Sequence, residues 1–163
     1  MLVQVATRMQ SVFDILKPLI DQPVIRFPYT MTNKVPLVIP AGAQGVPFVA
    51  SDFSHSLEWP FEVHEVKPEQ DPAHTFQDWR LMVEDQTFNQ RWFKTATRID
   101  GLVDDNTGVW RLRFPWIVRP KGGALSLTGD NLDAVNPISV EVTFRGYLMI
   151  PRATIAALGI IPT

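Results

Sequence analysis

The clearest alternation of apolar and polar positions lies at residues 57–66, LEWPFEVHEV, where Trp59, Phe61 and Val63 share one parity and Glu58, Glu62 and His64 the other. Successive side chains of a strand point to opposite faces, so one apolar parity marks a half-buried antiparallel strand. By the same rule VWRLRFPWIV (109–118) sends Trp110, Leu112 and Phe114 inward, between Arg111 and Arg113. Short runs rich in Val, Phe and Trp predict further strands at 24–29, 35–40, 46–53, 78–85, around 91–99, at 124–128 and along 139–150. Turn signals separate them: Thr32-Asn33-Lys34, Ala41-Gly42, Asp104-Asp105-Asn106-Thr107-Gly108, Lys121-Gly122-Gly123 and Gly129-Asp130-Asn131. Strands at this spacing, without helices between them, predict an all-β fold, an antiparallel β-sandwich of jelly-roll character.

The start of the chain follows a different period. Val5, Met9, Val12, Phe13 and Leu16 fall on one face of a helix that Pro18 ends, and Ser11 with Asp14 fits a weak capping pattern. The expected organisation is an N-terminal helical arm over 1–22, a sandwich over 23–151 and a tail over 152–163 with one helical turn before Gly159. The arm's apolar stripe needs a partner, either its own core or a neighbouring subunit.

Composition sharpens this picture. The 163 residues include 14 Pro against 9 Gly, and Pro23, Pro28, Pro36, Pro40, Pro47 and Pro60 fall within or beside the early strands. A residue without a backbone donor is tolerated in a sheet mainly on edges and bulges, so the first half is expected to be edge-rich. The absence of Cys removes disulfides, thiolate metal sites and cysteine nucleophiles. No basic start leads into a continuous apolar run and no stretch of 18 apolar residues occurs, so neither a signal peptide nor a membrane span is expected. A net charge of -2 and a pI near 5.9 argue against a general nucleic-acid binder. RWFKTATR (91–98) mixes bases with aromatics but reads as a strand with solvated Arg and Lys.

Charge is unevenly placed. Between Asp52 and Gln86 nine acids face only Lys67 and Arg80, whereas between Arg91 and Lys121 seven bases face Asp100, Asp104 and Asp105. Such a split either closes on itself as internal salt bridges or forms complementary poles that orient one subunit on another. Ten Arg against five Lys favours interface chemistry, and Arg111 and Arg113 are the interface candidates beside the arm's apolar residues.

Candidate chemistry is sparse. A cupin-type metal site needs two His one residue apart with a Glu nearby, and His64 with Glu62 supplies one; His55 and His74 are expected in loops. Parity places Glu62 and Glu65 on opposite faces, and Asp104 with Asp105 belongs to a turn, which argues against a catalytic carboxylate pair. The Gly-x-Ser-x-Gly elbow, the phosphate loop and the dinucleotide fingerprint are absent, so a non-enzyme without cofactors is expected. A carbohydrate-binding sandwich would need exposed rings, for which Trp79, Trp92 and Trp116 are the candidates.

The segments RLMVEDQTFNQRWFKTATRIDGL and WRLRFPWIVRPKGGALSLTGDNLDAVNPISVEVTFRGYLMIP form one layout. A strand ending in Asp (Val83 to Asp85) precedes a polar stretch; Phe114-Pro115-Trp116 leads to a Gly-containing hairpin (Lys121 to Leu127); the last strand, Val140 to Pro151, carries Gly146-Tyr147. This layout, over less than half of the chain, resembles the C-terminal half of small β-sandwich virion proteins of tailed bacteriophages, although the Asp104–Gly108 loop is longer than in that group. The resemblance implies a capsid decoration, cement or minor head protein, made in the host cytoplasm and carried on the virion. Its implied partners are further copies of itself, as in a trimer, and the major capsid protein or another virion protein, with neither nucleic acid nor membrane. Neck, tail or fibre association is the other virion role.

Overall fold

The computed structural model describes residues 23–159, so the arm predicted for 1–22, with Val5, Met9, Val12, Phe13 and Leu16, lies outside the described residues. The described chain runs β1 (Val24–Thr32), β2 (Leu37–Ile39), β3 (Val46–Pro47), β4 (Ser54–His55), β5 (Phe61–Gln70), β6 (Trp79–Asp85), β7 (Gln90–Arg91), β8 (Thr97–Arg98), β9 (Trp110–Val118), β10 (Gly123–Asn131), β11 (Ile138–Pro151) and the short helix α1 (Arg152–Ala157). The first sheet has the order β1-β11-β5-β9, with β2 continuing the line of β1 along β11; the second has the order β3-β10-β6-β7, with β4 on β10 and β8 on β6. All pairings are antiparallel.

From β1 to β11 the chain crosses repeatedly between the sheets: β1 first, β3 and β4 second, β5 first, β6 to β8 second, β9 first, β10 second, β11 first. Two interleaved Greek keys of this kind make a jelly roll. The inward parity of β6 (Trp79, Leu81, Val83) and β10 (Leu125, Leu127) meets Phe61, Val63, Val66, Val140, Val142 and Phe144 of the first sheet, all buried. Phe53 sits edge-on to both Phe48 and Phe144, with centroids 5.9 and 5.6 Å apart. Such offset geometry adds to the area term, which is about 1.5–3 kcal/mol for each large side chain fully buried.

Three local expectations are corrected. Gly129-Asp130-Asn131 is no turn; it is the buried end of β10. Asn131 turns its amide inward, donating to the carbonyls of Ile39, Pro40 and Asn136, while Asp130 accepts from the Gly45 amide, so turn-type side chains tie loops to a strand end. Residues 46–53 do not form one strand: β3 covers two residues, and a single tight turn at Ala50–Phe53 carries Phe53 into the core. His55 is not a loop residue; it lies in β4, fully buried against Tyr29 and Phe61. The prolines sit as expected: Pro28, Pro47 and Pro115 occupy outermost strands, and Pro68 lies in β5 past Val66, the last residue that pairs with β9.

Candidate functional site

The outer face of the first sheet carries a side-chain arrangement created by two irregularities. In β5, Val63 faces Gly146 while Glu65 faces Arg145, so His64 is an extra residue opposite β11. A bulge shifts side-chain parity by one. Val63 and Val66 therefore both point into the core, and Glu62 and Glu65, expected on opposite faces, share the outer one. On the other side of β5, Val63 pairs with Trp116 and Glu65 with Arg111, so residues 112–115 of β9 arch away from the ladder. That arch corrects the expected burial of Phe114: its ring is 76% exposed, with the Arg113 guanidinium 5.6 Å from its centroid. Trp110 and Leu112 are packed against the core as predicted.

Cross-strand register lines up two rows on this face. Thr30, Arg145, Glu65 and Arg111 form one; Pro28, Tyr147 and Glu62 form the next. Arg26 Nε donates to Glu62 Oε2 at 2.8 Å, His64 Nε2 lies 3.4 Å from the same oxygen, and the His64 ring stands edge-on to Tyr147 with centroids 5.4 Å apart. Burial pushes the Glu62 carboxyl up, but the Arg26 hydrogen bond and charge, with help from His64, hold it below the ordinary carboxylate value. Arg111 Nε donates to Glu65 Oε1 at 3.2 Å. Arg145 makes no ion pair among the described residues. Between the rows lies a recess of about 480 Å³ lined by Pro28, Tyr29, Thr30, His64, Glu65, Arg145, Gly146 and Tyr147.

The charge split resolves in part within the chain, through three ion pairs between the two stretches among the described residues. The acidic stretch folds partly into β5 and β6 and the basic stretch partly into their neighbours β7 to β9, giving the pairs Glu65–Arg111 and Glu84–Arg91, while Glu58 and Lys121 pair between loops. These exposed pairs are worth about 0–1 kcal/mol each. Arg111 is thus engaged internally, while Arg113 stands at the arch and makes no ion pair among the described residues.

The three His residues sit in separate settings, and among the described residues no group of three or more His, Cys, Asp or Glu side chains converges in a manner suited to a metal ion. His55 Nε2–H donates to the Trp59 carbonyl at 2.6 Å, and desolvation lowers its pKa. His74 is held by carboxylates on both sides, Asp71 at 2.7 Å from Nδ1 and Asp133 at 3.6 Å from Nε2, so its nitrogens diverge from any common ion. The hydrogen bond to Asp71 raises the His74 pKa, against a smaller opposing effect of burial, while Asp133, held by Asn136 and the Val135 amide, is lowered to about 2.

The linkage of the two groups has opposite signs. A raised folded pKa gives stability that is complete below the ordinary 6.5 and lost as pH rises through the folded value; a lowered one is complete above 6.5 and lost as pH falls toward the folded value. In urea titrations across this range, His74→Gln is expected to differ most from the parent chain below pH 6.5 and to converge with it at higher pH. A stability difference independent of pH would remove His74 as the source.

Among the tryptophans proposed for sugar stacking, Trp79 is fully buried, and Trp92 and Trp116 stack on each other with centroids 4.9 Å apart against the core. Trp116 Nε1 donates to the buried Asp85 carboxylate at 2.7 Å. Trp79 is therefore closed to a ligand, and Trp92 and Trp116, partly buried, are packed against each other and the core. Arg26, Thr30 and Arg145 carry no signal of their own in the sequence; Tyr147 is marked there only by the Gly146-Tyr147 pair inside the last strand.

No protein-family model and no curated protein matches this chain. Among solved structures, the chain is similar to one titled "Crystal structure of infectious bursal disease virus VP2 subviral particle", with a TM-score of 0.35 and 10% identity. That similarity covers 81% of this chain and 43% of the other, so the chain spans less than half of the length of that structure.

Proposed function

We propose that this protein is a non-enzymatic structural component of a tailed-bacteriophage virion, a decoration or cement protein that bridges capsid subunits. The layout of residues 80–151 supports the virion setting, and the jelly roll, an architecture shared by capsid, lectin and cupin domains, is compatible with it at the level of fold analogy. The observation that carries the docking reading is the arch of β9. It holds Phe114 76% exposed beside Arg113 and next to Arg111, on an edge strand. Aromatic and Arg side chains are the residues that dominate binding energy when an interface closes over them. The stripe Val5, Met9, Val12, Phe13 and Leu16 supplies a second contact, made with a neighbouring copy or the major capsid protein. Repetition over a lattice then makes modest contacts strong together.

Co-sedimentation with particles of the encoding phage tests this reading. The double substitution Phe114→Ser with Arg113→Glu is expected to weaken attachment by about thirtyfold, the loss of roughly 2 kcal/mol typical of a hot spot, with circular dichroism unchanged. Deletion of residues 1–20 is expected to weaken it further. Unchanged co-sedimentation of both variants would overturn the proposal. Copy number separates the two virion roles: hundreds per particle fit cement, and a dozen or fewer fit a neck, tail or fibre position.

A further inference from the structure

We propose that the recess on the outer face of the first sheet is a binding site for a neutral saccharide. Its volume of about 480 Å³ falls within the range of small-molecule sites, about 300–1,000 Å³. Its chemistry is mixed in a way that selects the ligand class. Arg145 brings a planar fork of donors that no carboxylate among the described residues occupies, and Thr30 and Tyr147 bring hydroxyls. Glu65 uses Oε1 for Arg111 and leaves Oε2 as an acceptor. Pro28 and the exposed part of Tyr147 supply an apolar wall.

One cation and one anion line the recess, and the adjoining Arg26–Glu62 pair also sums to zero. An anionic ligand would sit beside Glu65 and Glu62, and a cationic one beside Arg145 and Arg26, so neither sign is favoured. A pyranose suits both features. Each hydroxyl is at once donor and acceptor, and its C–H face lies on a ring or a proline.

The site is also built in advance, which limits the ordering cost of binding. Arg26 fixes Glu62, Glu62 stands against His64, and His64 props the Tyr147 ring edge-on. His64 Nε2 faces the Glu62 carboxylate, so the imidazole serves the recess as a prop held from behind. The floor is the bulge itself, where β5 and β11 approach so closely that only Gly fits at 146.

Backbone amide shift mapping and saturation-transfer NMR on the full chain test this, with the methyl glycosides of glucose, galactose, mannose and N-acetylglucosamine as probes and glucuronate and glucosamine as charged controls. At least one neutral glycoside is expected to bind with a Kd on the order of millimolar, perturbing the amides of His64, Glu65, Arg145, Gly146 and Tyr147. Tyr147→Ala and Arg145→Gln, both at exposed positions, are expected to weaken it at least about tenfold with the melting temperature retained. No perturbation by any neutral probe, perturbation confined to other residues, tighter binding of glucuronate or glucosamine, or unchanged affinity in both variants would each overturn the assignment. Particle attachment is read separately, through Phe114 and Arg113, so failure of either proposal leaves the other intact.

Discussion

Replacing Gly146 by alanine is expected to destabilise the fold by about 3 kcal/mol, at the upper end of what over-packing usually costs. A Cβ at this position would lie 1.8 Å from the Glu62 carbonyl oxygen and 3.0 Å from Val63 Cα. Both are backbone atoms held in the β5–β11 ladder, so neither swings aside as a side chain would. Relief requires opening the bulge at His64, which also dismantles the rows of Arg145, Tyr147, Glu62 and Glu65. Gly129 provides the contrast. Its added Cβ would meet the tip of Ile39 at 2.5 Å, a side-chain end that rotates, and Gly129→Ala is expected to cost less, about 1 kcal/mol. Urea unfolding checks both: the midpoint should fall with the slope preserved. Stability of Gly146→Ala within about 0.5 kcal/mol of the parent, the range of a neutral surface change, would refute the close-approach account.

Phe144→Ala is expected to cost about 3–5 kcal/mol. Phe144 is fully buried in β11, the longest strand and the one that pairs with β1, β2 and β5. Its ring meets Phe53 at 5.6 Å and Trp92 at 5.7 Å, both edge-on, so truncation removes contacts to the Ala50–Phe53 turn and to the loop that follows β7. The surrounding rings belong to fixed strands and turns and collapse poorly into the space left, which adds the cavity cost to the lost transfer energy. For a domain of this size the melting temperature should fall by on the order of 10 °C. Phe144→Leu, which refills most of the volume, should recover much of the loss. A drop below about 1 kcal/mol for the alanine variant would place Phe144 outside the cooperative core.

How far the sequence could be read depended on whether a residue obeys its own strand's period. Trp79, Leu81 and Val83 alternate cleanly, and β6 forms with that parity buried. The alternation of 57–66 likewise located β5 and its inward Phe61 and Val63, but it failed after His64. A bulge is decided by the fit of two strands; Gly146 in β11, some eighty residues away, sets the parity of Glu65. The same holds for β9, where the alternation predicted an inward Phe114 and the arch turned it out. Asn131 and His55 misled for another reason. Residues that favour loops serve equally as buried anchors when carbonyls are offered to them, by the distant Ile39 and Pro40 and the nearby Asn136 for Asn131, and by the nearby Trp59 for His55.

The sequence by itself determined the fold class and most strand positions, because period-two patterning and proline placement act within a few residues and need no partner to be recognised. It also determined that acidic and basic residues occupy different halves. Tertiary structure alone decided which of these charges meet, as Glu65 with Arg111 and Glu84 with Arg91, that Glu62 and Glu65 share a face, and that Arg145, Tyr147 and Thr30 line one recess. Each of those outcomes depends on register between strands far apart in the chain, and a one-residue slip in that register sends a side chain to the opposite face.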